Sequence, residues 1–176
     1  SSDYVFDGAK EGAYVEDDAT NPLSVYGRTK CEGEQRIRAS GARHLILRTS
    51  WVFSARGGNF AKTMLRLAQE RDSLNVIADQ HGAPTGAELI ADATALALHS
   101  LRSAGPAASA LSGTYHLAAA GAATWHGYAQ HLLAQDWGVA ADVWSATSWT
   151  ELRRDAVITE EWNLMHAGQT PRVPYV

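Results

Sequence analysis

The sequence predicts an α/β fold organised on a mostly parallel sheet. Short apolar segments with sharp ends alternate with longer segments of helical period. The run Leu45-Ile46-Leu47, closed by Arg43-His44 on one side and Arg48-Thr49 on the other, has the length of a strand buried on both faces. Turn residues punctuate the joins, among them Asp7-Gly8, Gly41 and the group Gly82, Pro84 and Gly86.

Taken in order, residues 1–6 (SSDYVF) read as a strand end closed by Asp7-Gly8. Residues 10–20 are polar, carry Glu11, Glu16, Asp17 and Asp18, and read as a surface loop. Asn21-Pro22 gives an Asx cap followed by proline at the first helical position, and Ser24 is a second candidate cap. That helix is expected to reach about residue 40 and stop at Gly41, in the left-handed conformation that ends helices. A strand over residues 43–49 follows. Residues 59–71 place Phe60, Met64, Leu67 and Ala68 on one helical face. Residues 74–78 form another short strand, and residues 79–86 a loop. Thr85 is a cap for a helix reaching about residue 101, residues 103–112 (SAGPAASALS) read as a flexible linker, and residues 113–118 as a strand. Residues 124–135 read as a helix capped by Thr124. The period decays beyond Gly138, where Trp144, Trp149, Trp162 and His166 lie.

The 176 residues are 45% apolar and 19% charged, which suits a packed core rather than disorder. That length is enough for one domain or for part of a larger one. A net charge of −4 without a dense Lys/Arg block argues against nucleic acid or a membrane surface as partner. No apolar run reaches the roughly 18–20 residues that span a bilayer. Residues 1–6 have neither the basic stretch nor the long apolar run of a signal peptide, and there is no initiator methionine. Cys31 stands alone, so no disulfide framework exists, and a reducing compartment, the cytoplasm, is expected.

The most informative residues are Tyr26 and Lys30. A spacing of four puts both side chains on one helix face, about 5–6 Å apart at Cβ. A phenol with an ordinary pKa near 10 is a poor acid–base group at neutral pH. A neighbouring ammonium favours the phenolate, so the pair suits proton exchange with a carbonyl or alcohol oxygen. The same spacing also arises on ordinary amphipathic helices. Ser2 strengthens the catalytic reading, because it ends the preceding strand, and strand carboxyl ends line the ligand crevice of open α/β sheets. Its hydroxyl is a natural third donor to the same substrate oxygen. The seven histidines show no compact metal-ligand spacing.

An ordered set of segments extends this reading. It comprises Ser2-Asp3-Tyr4-Val5-Phe6, Asn21-Pro22-Leu23-Ser24-Val25-Tyr26-Gly27-Arg28-Thr29-Lys30 and Arg48-Thr49-Ser50-Trp51-Val52-Phe53. Residues 58–65, Asp79-Gln80-His81-Gly82-Ala83-Pro84-Thr85-Gly86 and Gly113-Thr114-Tyr115-His116-Leu117 continue it. Over residues 1 to about 135 the chain resembles the extended short-chain dehydrogenases/reductases, and within them the dTDP-4-dehydrorhamnose reductase family. The resemblance implies the C-terminal half of a Rossmann-like doubly wound parallel sheet plus part of a small substrate-binding lobe. Residues 1–112 would form a partial NAD(P)-binding domain with interleaved lobe segments, and residues 113–176 the remaining strand, helix and divergent tail. It implies NADPH or NADH as hydride donor and a dTDP-4-keto-6-deoxysugar as substrate. Tyr26 would protonate the C4 oxygen, and Lys30 would bind the nicotinamide ribose and stabilise the tyrosinate. Ser2, standing where the family usually has threonine, would keep that hydroxyl's role. Asp3 and Tyr4 would contact the sugar or help shape the pocket, and Trp51 would stand in the place of the family's substrate-binding tryptophan.

Each of these has a plainer reading. Trp51 and Tyr4 fit core packing, and Asp3 fits a turn cap. Arg48 fits either a nucleotide phosphate or a structural ion pair. By analogy with magnesium held at a dimer contact, Glu88 is a candidate ligand for that metal in a homodimer, or a glutamate favoured by a helix start.

Two departures from the family qualify the resemblance. Neither G-x-G-x-x-G nor G-x-x-G-x-x-G occurs among the 15 glycines, although a pyrophosphate cradle needs such a turn. The chain therefore reads as a truncated form, whose activity by itself is not expected. Residues 170–174 only faintly echo the family's proline- and arginine-rich end. A sugar-nucleotide epimerase or dehydratase of the same superfamily and a non-catalytic reductase-like regulatory subunit are the rival functions. Asp3-Tyr4 is not the Asp-Glu pair a dehydratase needs.

Overall fold

A computed structural model describes residues 1–138 and 142–146. The segment 147–176, with Trp149, Trp162, His166 and the 170–174 motif, lies outside the described residues. The chain divides into two compact units, residues 1–55 with 83–121, and residues 56–82 with 122–176.

The first unit contains a β–α–β passage. Ser2 bridges Thr49 in parallel, so the chain leaves one strand end, forms helix α1 (Val25–Ala39) and returns as strand β1 (Leu45–Arg48). Parallel strands need such a crossover, and α1 supplies it. On its other edge β1 pairs in parallel with β6 (Gly113–His116), from Leu45 opposite Gly113 to Arg48 opposite His116. The two-residue strands β2 (Val52–Phe53) and β5 (Thr85–Gly86) form a second parallel ladder, followed directly by helix α3 (Ala87–Ser103). Val5, Phe6 and Cys31 form the apolar centre, with Tyr14 stacked on Phe6 at 4.2 Å. Ile46 is also buried, while Leu45 and Leu47 are half-buried.

The second unit holds helix α2 (Phe60–Glu70), strand β3 (Ser73–Ile77), the short strands β4 (His81–Gly82) and β7 (Ala123–Thr124), helix α4 (Trp125–Gln130) and strand β8 (Asp142–Ala146). β3 and β8 pair in parallel, whereas β4 and β7 are antiparallel. Asn59 caps α2 by accepting from Lys62 N–H, and Thr124 caps α4 by accepting from Gly127 N–H. The core is apolar throughout: Met64, Leu74, Val76, Ala129, Leu132 and Leu133 are buried, with Phe60, Leu67, Ala68 and Trp125 packed against them. The helical stripe expected at Phe60, Met64, Leu67 and Ala68 is therefore the packing face of α2.

The α/β class and the dominance of parallel pairing agree with the sequence, and several boundaries do not. Residues 3–5 are a 3₁₀ turn rather than strand, because the Ser2 hydroxyl accepts from Tyr4 N–H and draws the chain round. Helix α1 starts at Val25, since Ser24 accepts from Gly27 N–H while the Asn21 amide donates to Asp7. Its end agrees, with Gly41 at φ +69°. Thr85 caps nothing. It is fully buried in β5, donating to the Ala83 carbonyl and accepting from Ala119 N–H, and α3 begins behind Gly86 without a side-chain cap. The loop expected over 79–86 contains β4 and β5. The expected linker is a 3₁₀ segment, Gly105–Leu111, that buries Ala108. The expected helix over 124–135 passes from α4 into π-helical geometry at His131. Among the described residues no helix is long and apolar enough to cross a membrane.

Candidate active site

Every candidate site residue lies in the first unit. The strand end supplies the first group. Asp3 N–H donates to the Thr49 carbonyl at 3.0 Å, which fixes the point where the chain leaves the sheet. Ser2, extended at φ −147° and ψ 156°, then caps the turn formed by Asp3, Tyr4 and Val5. The buried Ser2 hydroxyl is doubly engaged, accepting from Tyr4 N–H at 3.2 Å and donating to Asp3 Oδ1 at 2.9 Å.

Helix α1 brings the second group against that turn. Gly27 makes the approach possible: a Cβ there would lie 2.1 Å from the Tyr4 carbonyl oxygen and 3.0 Å from Pro22 Cβ. With no side chain in the way, the first turn of α1 seats on the backbone of Tyr4. The adjacent Tyr26 ring meets the Tyr4 ring edge-on, with centroids 5.8 Å apart and planes at 84°. Lys30 places its ammonium over the Tyr26 ring, 5.3 Å from the centroid, within cation–π range. Tyr26 is 52% exposed, and among the described residues neither its hydroxyl nor the Lys30 ammonium has a hydrogen-bond partner. Both donor groups are thus available to a ligand.

Tyr4 is held neutral. Burial, then the charge of Asp3, then the neighbouring Tyr26, raise its pKa above the ordinary phenol value. Its hydroxyl therefore remains a donor over the whole neutral range.

A buried ion pair anchors the other end of this arrangement. Arg48 Nε and Nη2 bind the Glu34 carboxylate at 2.9 and 2.8 Å, and both side chains are almost fully buried. The pair joins the last turns of α1 to the end of β1. Burial works against the Glu34 charge, but the hydrogen bonds from Arg48 and Ser1 and the charges of Arg48 and Arg38 outweigh it, so the pKa is lowered. Arg48 also donates to the Glu16 carbonyl at 3.2 Å and lies over the Phe6 ring. Of the two roles open to Arg48, the structure shows the ion-pair partner.

Trp51 follows the buried Ser50 and turns the chain out of β1. Its φ of +42° makes it the one non-glycine residue in the left-handed region among the described residues. For a bulky side chain this is an outlier, costing about 1–3 kcal/mol. Thr85 N–H holds the turn by donating to the Trp51 carbonyl at 3.2 Å. Trp51 is half-buried.

Contacts thus join Ser2 to Asp3 and Tyr4, Tyr4 to Tyr26, and Tyr26 to Lys30. Glu88 stands exposed in the first turn of α3, and no group of three or more His, Cys, Asp or Glu side chains gathers among the described residues. Sequence reasoning missed Glu34, Gly27 and the role of Ser50. For Gly27 the signal was weak: a glycine inside a helix costs about 1 kcal/mol against alanine, but Gly33 on the same helix carries the same mark.

Parallel pairing around a β–α–β crossover, with a Tyr/Lys pair presented beside the strand end, defines a Rossmann-like protein of the short-chain dehydrogenase/reductase type. Comparison with known proteins narrows this. The profile of the RmlD substrate binding domain matches residues 1–157, and the chain belongs to that family. It is similar to dTDP-4-dehydrorhamnose reductase of Shigella flexneri, 56% identical over 129 residues, covering 73% of this chain and 42% of that protein. It is also similar to the spore coat polysaccharide biosynthesis protein SpsK of Bacillus subtilis, 34% identical over 175 residues, covering 99% of this chain and 53% of that one. Among solved structures, the dTDP-4-dehydrorhamnose reductase of Bacillus anthracis in complex with NADP superposes with a TM-score of 0.74 at 32% identity, covering 84% of this chain and 50% of the other. The chain therefore spans about half the length of the relatives it matches.

Proposed function

We propose that this chain carries the acid–base face of an enzyme that reduces the 4-keto group of a dTDP-4-keto-6-deoxysugar with NADPH or NADH, as in dTDP-rhamnose synthesis. The observation that carries this is the exposed Tyr26–Lys30 pair seated against Tyr4 at the strand end, with the donors of both side chains unengaged. The likeness to named reductases, one of them solved with NADP, supports it.

The donor set fits the nicotinamide end of such a cofactor. A lysine ammonium beside a phenol can donate to ribose hydroxyls, and a phenol can reach a carbonyl oxygen at the reacting carbon. When bound, a reduced nicotinamide would be the source of the hydride. Tyr26 gives its proton to the C4 oxygen, so the carbonyl becomes an alcohol and a tyrosinate remains. Lys30 donates to the ribose and steadies that anion with its charge. Ser2 gives a second hydrogen bond to the same oxygen by turning its hydroxyl away from Asp3. Tyr4, Asp3 and Trp51 line the sugar side, Tyr4 as a neutral donor. The cytoplasm is the compartment that goes with this reading; the buried Cys31 thiol, which donates to Thr20 at 3.3 Å, packs as a small apolar side chain.

The test is NADPH oxidation by the complete protein in the presence of a dTDP-4-keto-6-deoxysugar. Tyr26→Phe lowers kcat by about 10²–10⁴ while NADPH binding persists. A wild-type protein that leaves NADPH unoxidised, or a phenylalanine variant that matches it, ends the reading.

A further inference from the structure

The turn after β1 carries a hydrogen-bonded chain that leads to the strand end. Ser50 Oγ accepts from Ala83 N–H at 3.2 Å and donates to Asp3 Oδ2 at 2.6 Å. The other carboxylate oxygen, Oδ1, accepts from Ser2 Oγ at 2.9 Å, and Ser2 Oγ accepts from Tyr4 N–H at 3.2 Å. Both serines are 7% exposed, so water competes poorly for these positions. Each hydroxyl has one hydrogen, and each directs it at the same carboxylate.

We propose that Ser50 is a positioning residue that sets the direction of the Ser2 hydroxyl through Asp3. An ionised carboxylate is a stronger acceptor than a neutral carbonyl. Held by Ser2 alone, Asp3 would keep the Ser2 hydrogen and leave none for a substrate oxygen. Ser50 occupies the second oxygen, fixes the plane of the carboxylate and takes up part of its charge. The Ser2 hydrogen is then free to turn when a better-placed acceptor arrives. Ser50 lies directly before Trp51, whose carbonyl is held by Thr85 N–H. One short turn therefore carries both the Ser50 hydroxyl held on Asp3 and the Trp51 carbonyl held by Thr85. In its catalytic consequence this inference rests on the reductase reading.

The experiment compares Ser50→Ala, Ser50→Thr, Ser2→Ala and the double variant Ser2→Ala/Ser50→Ala in the complete protein, with NADPH and a dTDP-4-keto-6-deoxysugar. Ser50→Ala lowers kcat about 10–100-fold with KM for NADPH unchanged, and threonine, which keeps the hydroxyl, restores most of it. In the Ser2→Ala background, loss of Ser50 changes kcat by less than about twofold, since the relay has nothing left to direct. Additive losses, or an alanine variant with wild-type kcat, overturn the proposal. A readout without turnover is the Ser2 χ1 distribution from NMR side-chain couplings. Ser50→Ala redistributes it, and an unchanged distribution overturns the relay. If the wild-type protein reduces no 4-keto sugar, the reductase reading falls while the χ1 measurement still decides whether Ser50 directs Ser2.

Discussion

In residues 1–55 and 83–121 the side chains withdrawn from water include Ser2, Glu34, Arg48, Ser50 and Thr85, beside the apolar Val5, Phe6, Cys31, Ile46 and Ala108. In residues 56–82 and 122–138 the buried side chains among the described residues are Met64, Leu74, Val76, Ala129, Leu132 and Leu133, all apolar. The two kinds of interior do different work. Apolar burial is non-directional and stabilises in proportion to the area removed from water. A bidentate guanidinium–carboxylate pair, or a serine on a carboxylate, holds only in one geometry. The first unit presents Tyr26 and Lys30 beside a strand end, and it is there that directional contacts are buried. Buried charge is a poor source of stability, because desolvation offsets most of the attraction. Orientation is the gain we propose for Glu34 and Arg48.

The largest expected effect breaks the comparison at those two residues. Glu34→Ala leaves the Arg48 guanidinium buried without its carboxylate and costs about 3–5 kcal/mol, read from urea unfolding of the complete protein. Leu133→Ala, at a side chain 1% exposed in the other unit, costs about 2–5 kcal/mol by cavity formation. Stability alone does not separate these variants, but a double replacement does. Glu34→Leu with Arg48→Met restores most of the stability, as apolar replacement of buried pairs does elsewhere. It still lowers kcat, because apolar contacts do not set the register of the last turns of α1 on β1 as the bidentate pair does. A double variant with full turnover would show that the pair is structural filling with no part in orientation.

The next effect sharpens the comparison within one helix. Gly27→Ala forces a Cβ against the Tyr4 carbonyl, a backbone atom that cannot swing aside, so the first turn of α1 must lift. The expected cost is about 1–3 kcal/mol, together with a fall in kcat as Tyr26 moves off Tyr4. Gly33, on the same helix, has nothing within 4 Å of its would-be Cβ. Gly33→Ala therefore stabilises by about 0.5–1 kcal/mol, the ordinary gain of alanine over glycine in a helix. Equal effects at the two glycines would mean that the close approach to Tyr4 is not what Gly27 serves.

These residues also mark what the sequence could disclose. The Tyr26–Lys30 face and the Phe60, Met64, Leu67 and Ala68 stripe were legible because helical period is a local property. Glu34 was not, since a glutamate in the polar run Cys31-Glu32-Gly33-Glu34-Gln35 reads as solvated until β1 brings Arg48 beneath it. Ser50 reaches Asp3 across 47 positions, and no local rule couples them. Thr85 satisfied the local rule for a cap, but tertiary burial drew its hydroxyl to Ala83 and Ala119 instead. The alanine-rich stretch before β6 looked flexible on composition. The same small side chains let the chain pack closely, and Ala108 is 2% exposed.

The smallest effect tests the polar scaffold at its rim. Asp7 accepts from Ala9 N–H at 2.9 Å, from the Asn21 amide at 2.9 Å and from the Tyr14 hydroxyl at 2.7 Å. Together these lower its pKa to about 2. The unfolded carboxyl titrates near the ordinary value of about 3.9, so above that pH both states are ionised and the contribution is fully present. As pH falls toward 2, the unfolded state takes up the proton first, and the contribution is lost through the folded pKa. The melting temperature of the wild-type protein should therefore fall between about pH 4 and pH 2, with a shallower slope in Asp7→Asn, which keeps an acceptor and does not titrate. Glu16, Asp18 and Glu34, whose pKa values are also lowered, contribute with the same sign in both proteins. The difference between the two slopes therefore isolates Asp7. If the slopes coincide, the bonds from Tyr14 and Asn21 do not hold the loop to the strand end in solution.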